Sequence, residues 1–136
     1  MAGWKVASNT AVLPAPEDLL PLVDARILRD LEDQLQGPDL ARRFARDYAG
    51  MWDGRRSRLA AAIAGQDQTS ALDAAISLRT TSAMVGGLRL TRLAEMLEGL
   101  IRKGDFGRCR TLMKRVAAHG DLTVSELRAH YLLTAG

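Results

Sequence analysis

Aromatic residues are scarce in this sequence, with Phe, Trp and Tyr together making up 4% of its 136 residues. Strands are built largely from β-branched and aromatic side chains, so this scarcity, set beside recurrent Ala, Leu and Met, argues for helices throughout. Cysteine occurs once, at Cys109, which excludes an internal disulfide and leaves no Cys pair to hold a metal. No apolar run approaches the length of a membrane span, and the opening MAGWKVASNTAV has one Lys and no run of signal-peptide length. The expected location is therefore the cytoplasm. A large excess of one charge is also missing. The net charge of +3 and pI near 9.5 are basic enough to raise nucleic acid as a partner. Acidic residues nevertheless alternate with basic ones along most of the chain. The one dense group, Arg42, Arg43 and Arg46 with Arg55, Arg56 and Arg58, has no accompanying pattern of stacking aromatics. A solvated, mildly basic helix face is the expectation there, and nucleic acid is not an expected partner.

What is present is a regular punctuation of helices. Residues 1–16 contain Pro14 and Pro16 with little periodicity and read as a flexible extension, with Trp4 the side chain suited to pack back onto a domain of residues 17–136. A first helix is expected from an Asp24 cap to Leu35, with Ile27, Leu28, Leu31 and Leu35 on one face and Gly37-Pro38 closing it. A long second helix over Pro38 to Ala64 carries Leu40, Phe44, Tyr48, Met51 or Trp52, Leu59 and Ile63 at helical spacing. The third starts near Ser70, which with Asp73 makes a loose capping box, and runs to Gly86-Gly87. The fourth spans Leu88 to Lys103 on the stripe Leu90, Leu93, Leu97, Leu100 and Ile101.

Asp105 caps the fifth helix, in which Phe106, Cys109, Met113, Val116, Gly120, Thr123, Leu127 and Tyr131 alternate steps of three and four. That spacing favours one helix continuous through Gly120, although an internal glycine costs about 1 kcal/mol, and a break at His119-Gly120-Asp121 is the rival. Short connections favour antiparallel neighbours. The expected architecture is all-α: an antiparallel up-down four-helix bundle with an additional N-terminal helix as a lid.

Little in the sequence resembles reaction chemistry, and no catalytic residue, cofactor site or metal site is assigned. His119 and His130 are eleven residues apart, about 16 Å along a helix, and cannot share one metal. Each is expected to be a surface or half-buried histidine without a ligand partner. Cys109 lies on an apolar stripe and reads as a core thiol. The hydroxyls of Ser77, Thr80, Thr81 and Ser82 have no adjacent base and read as small residues at a close helix crossing.

The third helix is more informative. Its core stripe runs Ala71, Ala75, Leu78, Ser82 and Val85, in steps of four, three, four and three. Ile76, Arg79, Thr80 and Ala83 then fall on an adjoining face about 100° round the helix. An accessible Ile beside an Arg requires explanation, although a wide apolar stripe would bury Ile76 as well.

The stretch AAISLRTTSAMVGGLRLTRLAEMLEGLIRKGD, residues 74–105, resembles the heart of the histidine-containing phosphotransfer (Hpt) domains of bacterial phosphorelays. That family's pattern is Ala-His-x-Leu-Lys-Gly, a small-residue run, Gly-x-x-x-Leu opening the next helix, and an acidic-leucine helix ending in Lys-Gly-Asp. Ala75, Leu78, Ser82, Ala83, Gly86 and Leu90 fall at the matching spacings, and with the less specific upstream helices the resemblance covers about residues 22–132. It implies the same four-helix bundle.

The resemblance also identifies departures. It puts Ile76 at the position of the phosphorylated histidine, Arg79 at that of the following Lys, and Thr80 at that of the Gly that gives a docking receiver domain close access. Ile has no imidazole lone pair to take a phosphoryl group. The resemblance therefore implies a degenerate Hpt-like module of a two-component phosphorelay system. Such a module would bind a response-regulator receiver domain or a histidine kinase through Ile76, Arg79, Thr80 and Ala83 without accepting phosphate, and so would not be an enzyme. The alternatives are a helical interaction or dimerisation module with that face reassigned and, less favoured, a basic nucleic-acid-binding bundle.

Overall fold

The computed structural model describes residues 16–133. A short 3-10 turn, Pro16–Leu19, leads into five α-helices: α1 Ala25–Gln34, α2 Pro38–Ala64, α3 Gln68–Met84, α4 Leu88–Arg102 and α5 Phe106–Leu127. The last runs on into a π-type turn, Arg128–Leu132. The reading of residues 1–16 as an extension, and of Trp4 within it, lies outside the described residues except for Pro16, which opens the 3-10 turn.

Local chemistry accounts for where the helices start and stop. Asp24 caps α1 by accepting from the Arg26 backbone N–H at 2.9 Å, and Asp105 caps α5 by accepting from Arg108 N–H at 3.2 Å. The start expected for α3 is corrected: Asp67 is the cap, accepting from Ser70 N–H at 3.1 Å, and Ser70 lies inside the helix. Both residues satisfy the capping preference.

Each pair of successive helices is joined by three residues, as in Gly65 to Asp67 between α2 and α3. Connections so short turn each helix back against the one before it. Helices α2 to α5 form a closed ring in which α2 packs on α3, α3 on α4, α4 on α5 and α5 on α2. Helix α1 lies against α2 and touches α3, with its Asp24 N–H donating to Gly86 O at 2.8 Å. Gly86 has φ +77, and a Cβ there would lie 2.6 Å from Asp24 O, so glycine is needed both for the turn and for the approach of α1. The four-helix bundle with an extra N-terminal helix is the architecture expected from the sequence.

The core is mostly aliphatic. Leu59, Ile63, Leu78, Leu90, Leu93, Leu97, Ile101 and Leu127 are fully enclosed, each contributing about 1.5–3 kcal/mol by burial. On α2 the expected stripe is partly rotated. Trp52 and not Met51 is buried, and Leu40 is 51% exposed while Ala41, Ala45 and Ala49 line the core. Small alanines on that face let neighbouring helices approach closely, which turns Leu40 outward. On α5 Leu112 is buried and Met113 only partly so.

Helix α5 is continuous through Gly120. A Cβ on Gly120 would sit 1.9 Å from Trp52 Cζ2, so the indole of α2 occupies the space of the missing side chain. Trp52 Nε1 donates to Asp121 Oδ1 at 2.7 Å, and the Arg56 guanidinium lies 5.9 Å from the Trp52 ring and 3.2 Å from the same carboxylate. A second cross-link is buried: Tyr48 on α2 and Ser82 on α3 share a hydroxyl–hydroxyl bond of 2.7 Å. Among the described residues, no helix is long and apolar enough to cross a membrane.

Candidate docking face

Helix α3 takes its orientation from its small-residue stripe. Ala71, Ala75, Leu78, Ser82 and Val85 are each no more than 1% exposed, so the inward face is fixed and the opposite one is left to solvent. Thr80 is exposed, and Ile76, Arg79 and Ala83 are half-buried. Ile76 sits at the edge of a shallow cavity lined also by Gln68, Thr69, Leu72 and Asp73. It is neither enclosed in the bundle nor fully free, so the two options left by the spacing both describe part of it. The rest of the hydroxyl run is occupied: Ser77 accepts from Arg55 Nη1 at 2.6 Å, and Thr81 donates to the Ser77 carbonyl at 2.8 Å.

Arg79 is engaged within the fold. Its Nε donates to Glu98 Oε1 on α4 at 2.8 Å, and Arg102 Nη2 donates to the other oxygen at 3.0 Å. Arg102 and Arg79 together hold the Glu98 carboxyl below its ordinary pKa, against the opposing effect of burial. Two guanidiniums share one carboxylate, so these three side chains keep one positive charge in excess, spread over α3 and α4.

Half of the arginine group is occupied within the fold. Arg42 lies over the Tyr131 ring at 6.0 Å, Arg55 bonds Ser77, and Arg56 pairs with Asp53 and Asp121. Arg43, Arg46 and Arg58 are exposed on α2.

The expectation that neither histidine has a carboxylate partner is corrected at both. His130 Nε2 lies 3.9 Å from Glu126 Oε1, four residues earlier on an exposed stretch. That spacing was visible in the sequence and was missed. His119 Nε2 lies 3.4 Å from Asp18 Oδ1, a partner a hundred residues away that no spacing rule on α5 would find. Glu17, only 1% exposed and ion-paired with Arg115, completes a small cluster with them. Burial, aided by Arg89 and Arg115 and opposed by Asp18, pushes the His119 imidazole below its usual pKa. Cys109 is buried, and that burial raises its thiol, with Asp105 adding to the effect, so it is a core residue and not a nucleophile.

Taken together, the α3 face offers apolar surface, a hydroxyl and a shared cation, and neither histidine of the sequence is on α3. It can be buried against another surface, and it has no imidazole to react. No family model matches the sequence, and no curated protein matches it either. The fold does have a counterpart among solved structures. The crystal structure of histidine-containing phosphotransfer protein B from Pseudomonas aeruginosa superposes with a TM-score of 0.71, at 21% identity, over 82% of this chain and 97% of that one. Four helices closed into a ring with a fifth packed against them, and superposition over nearly the whole of that protein, give the chain the fold of an Hpt domain.

Proposed function

We propose that this protein is a pseudo-Hpt module: a bundle that docks on a response-regulator receiver domain or a histidine kinase of a phosphorelay and does not carry the phosphoryl group itself. What supports the reading is the half-buried Ile76 on α3, which the motif resemblance sets at the position of the phosphorylated histidine, in a chain whose fold is that of an Hpt domain. Ile has no lone pair to attack a phosphoryl group, whereas an apolar side chain between Leu72 and Thr80 suits burial under a partner. Because Ile76 is already half-buried, docking gains only a part of the roughly 1.5–3 kcal/mol that full burial of such a side chain supplies. Thr80 narrows the approach where the motif has Gly, which favours a partner whose surface is less close-fitting there.

The test has two arms. Incubation with small phosphodonors and with kinases should leave no acid-labile phosphate on the chain, while binding to a panel of receiver domains, phosphorylated and unphosphorylated, should single out one partner. Phosphohistidine at His119 or His130 would overturn the first half. Failure to bind any receiver or kinase would overturn the second and leave a bundle with a reassigned face.

A further inference from the structure

We propose that Glu17, Asp18 and His119 form a binding site for a divalent first-row transition cation, for which Zn²⁺ is the best probe, and that the ion clasps the Pro16–Leu19 turn onto α5. One donor atom from each residue lies within 4.8 Å of the others. A tetrahedral Zn²⁺ with bonds of about 2.0–2.2 Å holds neighbouring donors roughly 3.4 Å apart. The His119 and Asp18 donors already stand at 3.4 Å. The remaining donor needs to close by about 1.4 Å at most, from 4.8 Å to the tetrahedral spacing, within reach of a Glu side chain carried on a short turn.

The polar atoms of the cluster are incompletely satisfied by protein. Glu17 is 1% exposed, Arg115 takes its Oε2, and its buried Oε1 makes no hydrogen bond among the described residues. Among the described residues neither nitrogen of His119 makes one either, because Nδ1 is without a partner there and Nε2 stands 3.4 Å from Asp18. A charge-assisted N–H···O bond is shorter, about 2.7–2.9 Å. A cation resolves the unpaired oxygen and uses the imidazole at once. The two carboxylates and Arg115 leave one net negative charge facing the ion, and Arg89 is occupied by the Leu20 carbonyl at 2.6 Å. Moderate affinity follows. An imidazole in the donor set favours zinc and its neighbours over Mg²⁺ or Ca²⁺, and three protein donors leave the fourth position to water. Asp18, with its side chain 38% exposed, supplies the entry path.

The experiment is a calorimetric titration of the full, chelator-treated chain with Zn²⁺, accompanied by thermal melts with and without the ion. One equivalent should bind with micromolar affinity and raise the melting temperature, since only the folded chain brings the three residues together. Asp18→Asn and His119→Gln should each weaken binding at least as much as loss of an outer-shell partner does, roughly 10–100-fold. Asp18 sits on a half-exposed turn, so its variant is expected to fold as the parent does. His130→Gln should leave the titration unchanged, and Mg²⁺ should not displace zinc. No saturable binding at sub-millimolar zinc, binding unaffected by Asp18→Asn, or binding abolished by His130→Gln would each overturn the proposal.

Discussion

The seam between α2 and α5 and the outer face of α3 are built under opposite constraints. At the seam, the Trp52 indole fills the space over Gly120, and its ring nitrogen is fixed by Asp121. Any larger residue at Gly120 has to move the tryptophan. On the face, Ile76 and Ala83 are half-buried and Thr80 is exposed, and nothing in the fold specifies which side chain stands at 76. The packing of α3 is carried by Ala71, Ala75, Leu78 and Ser82 on its other side. A bundle of this kind can therefore keep its architecture while the side chains on that outer face vary.

The sharpest way to break this contrast is Gly120→Ala. On propensity alone alanine should stabilise the helix by about 1 kcal/mol. The added methyl would overlap Trp52 at 1.9 Å, and overpacking of this sort costs about 1–3 kcal/mol and occasionally more. A net loss of up to about 2 kcal/mol is expected in denaturant unfolding. The double variant with Trp52→Leu should lose less than the two single changes added together, because the clash is then relieved. An alanine that stabilised the protein would show that the seam yields.

The Tyr48–Ser82 bond sharpens the same point at a second crossing. Tyr48→Phe leaves a buried Ser82 hydroxyl without its partner and should cost about 1–2 kcal/mol, with Ser82→Ala added on top restoring part of that. A pH signature accompanies it. Burial holds the Tyr48 phenol up to about 12. Its contribution is then fully present below the unfolded phenol pKa of about 10 and is lost as pH rises from there towards the folded value. Melts between those limits should fall more steeply for the parent than for Tyr48→Phe. Tyr131, also raised to about 12 by burial and by Glu32, should keep part of the slope in the variant.

How much the sequence disclosed follows the same division. The α5 stripe through Gly120 was legible because helical spacing is a local property, and so were the Asp24 and Asp105 caps. The reason for Gly120 was not, since Trp52 lies on another helix. Leu40 looked like core because spacing counts apolar residues but does not say that Ala41 and Ala45 form the close-approach face. The face of Ile76, Arg79, Thr80 and Ala83 was read from the core stripe that adjoins it. The pairing of Arg79 with Glu98 depends on how α3 and α4 are set side by side, which no single-helix pattern contains. The Glu17, Asp18 and His119 cluster was out of reach for the same reason.

On the α3 face itself, small effects on stability are expected to accompany large ones on binding. Ile76→Asp gives up only partial burial, so unfolding should shift by no more than about 1 kcal/mol. Placing a carboxylate where the proposed partner buries an alkyl group should nevertheless speed dissociation markedly, measured by surface-immobilised kinetics. If Ile76→Asp unfolded the protein as readily as Gly120→Ala, the face would belong to the core and the contrast would collapse.

Arg79→Glu should have the smallest effect on the fold. The ion pair it removes is half-exposed, and such pairs are worth about 0–1 kcal/mol. Arg102 remains to occupy Glu98, so the loss is softened, though a new carboxylate now stands near the old one. That arrangement should raise the Glu98 pKa from its depressed value. The sign follows from linkage: a depressed carboxyl contributes stability above its unfolded pKa and loses it as pH falls through the folded one. With less depression, the variant should lose less stability on acidification than the parent, starting from a slightly lower value at neutral pH. In binding, reversing the charge should slow association with the proposed partner if that partner presents an acidic surface, leave dissociation nearly unchanged, and give a difference that added salt shrinks. An association rate equal to the parent's at low salt would mean that Arg79 is wholly engaged with Glu98 and that steering comes from elsewhere on the bundle.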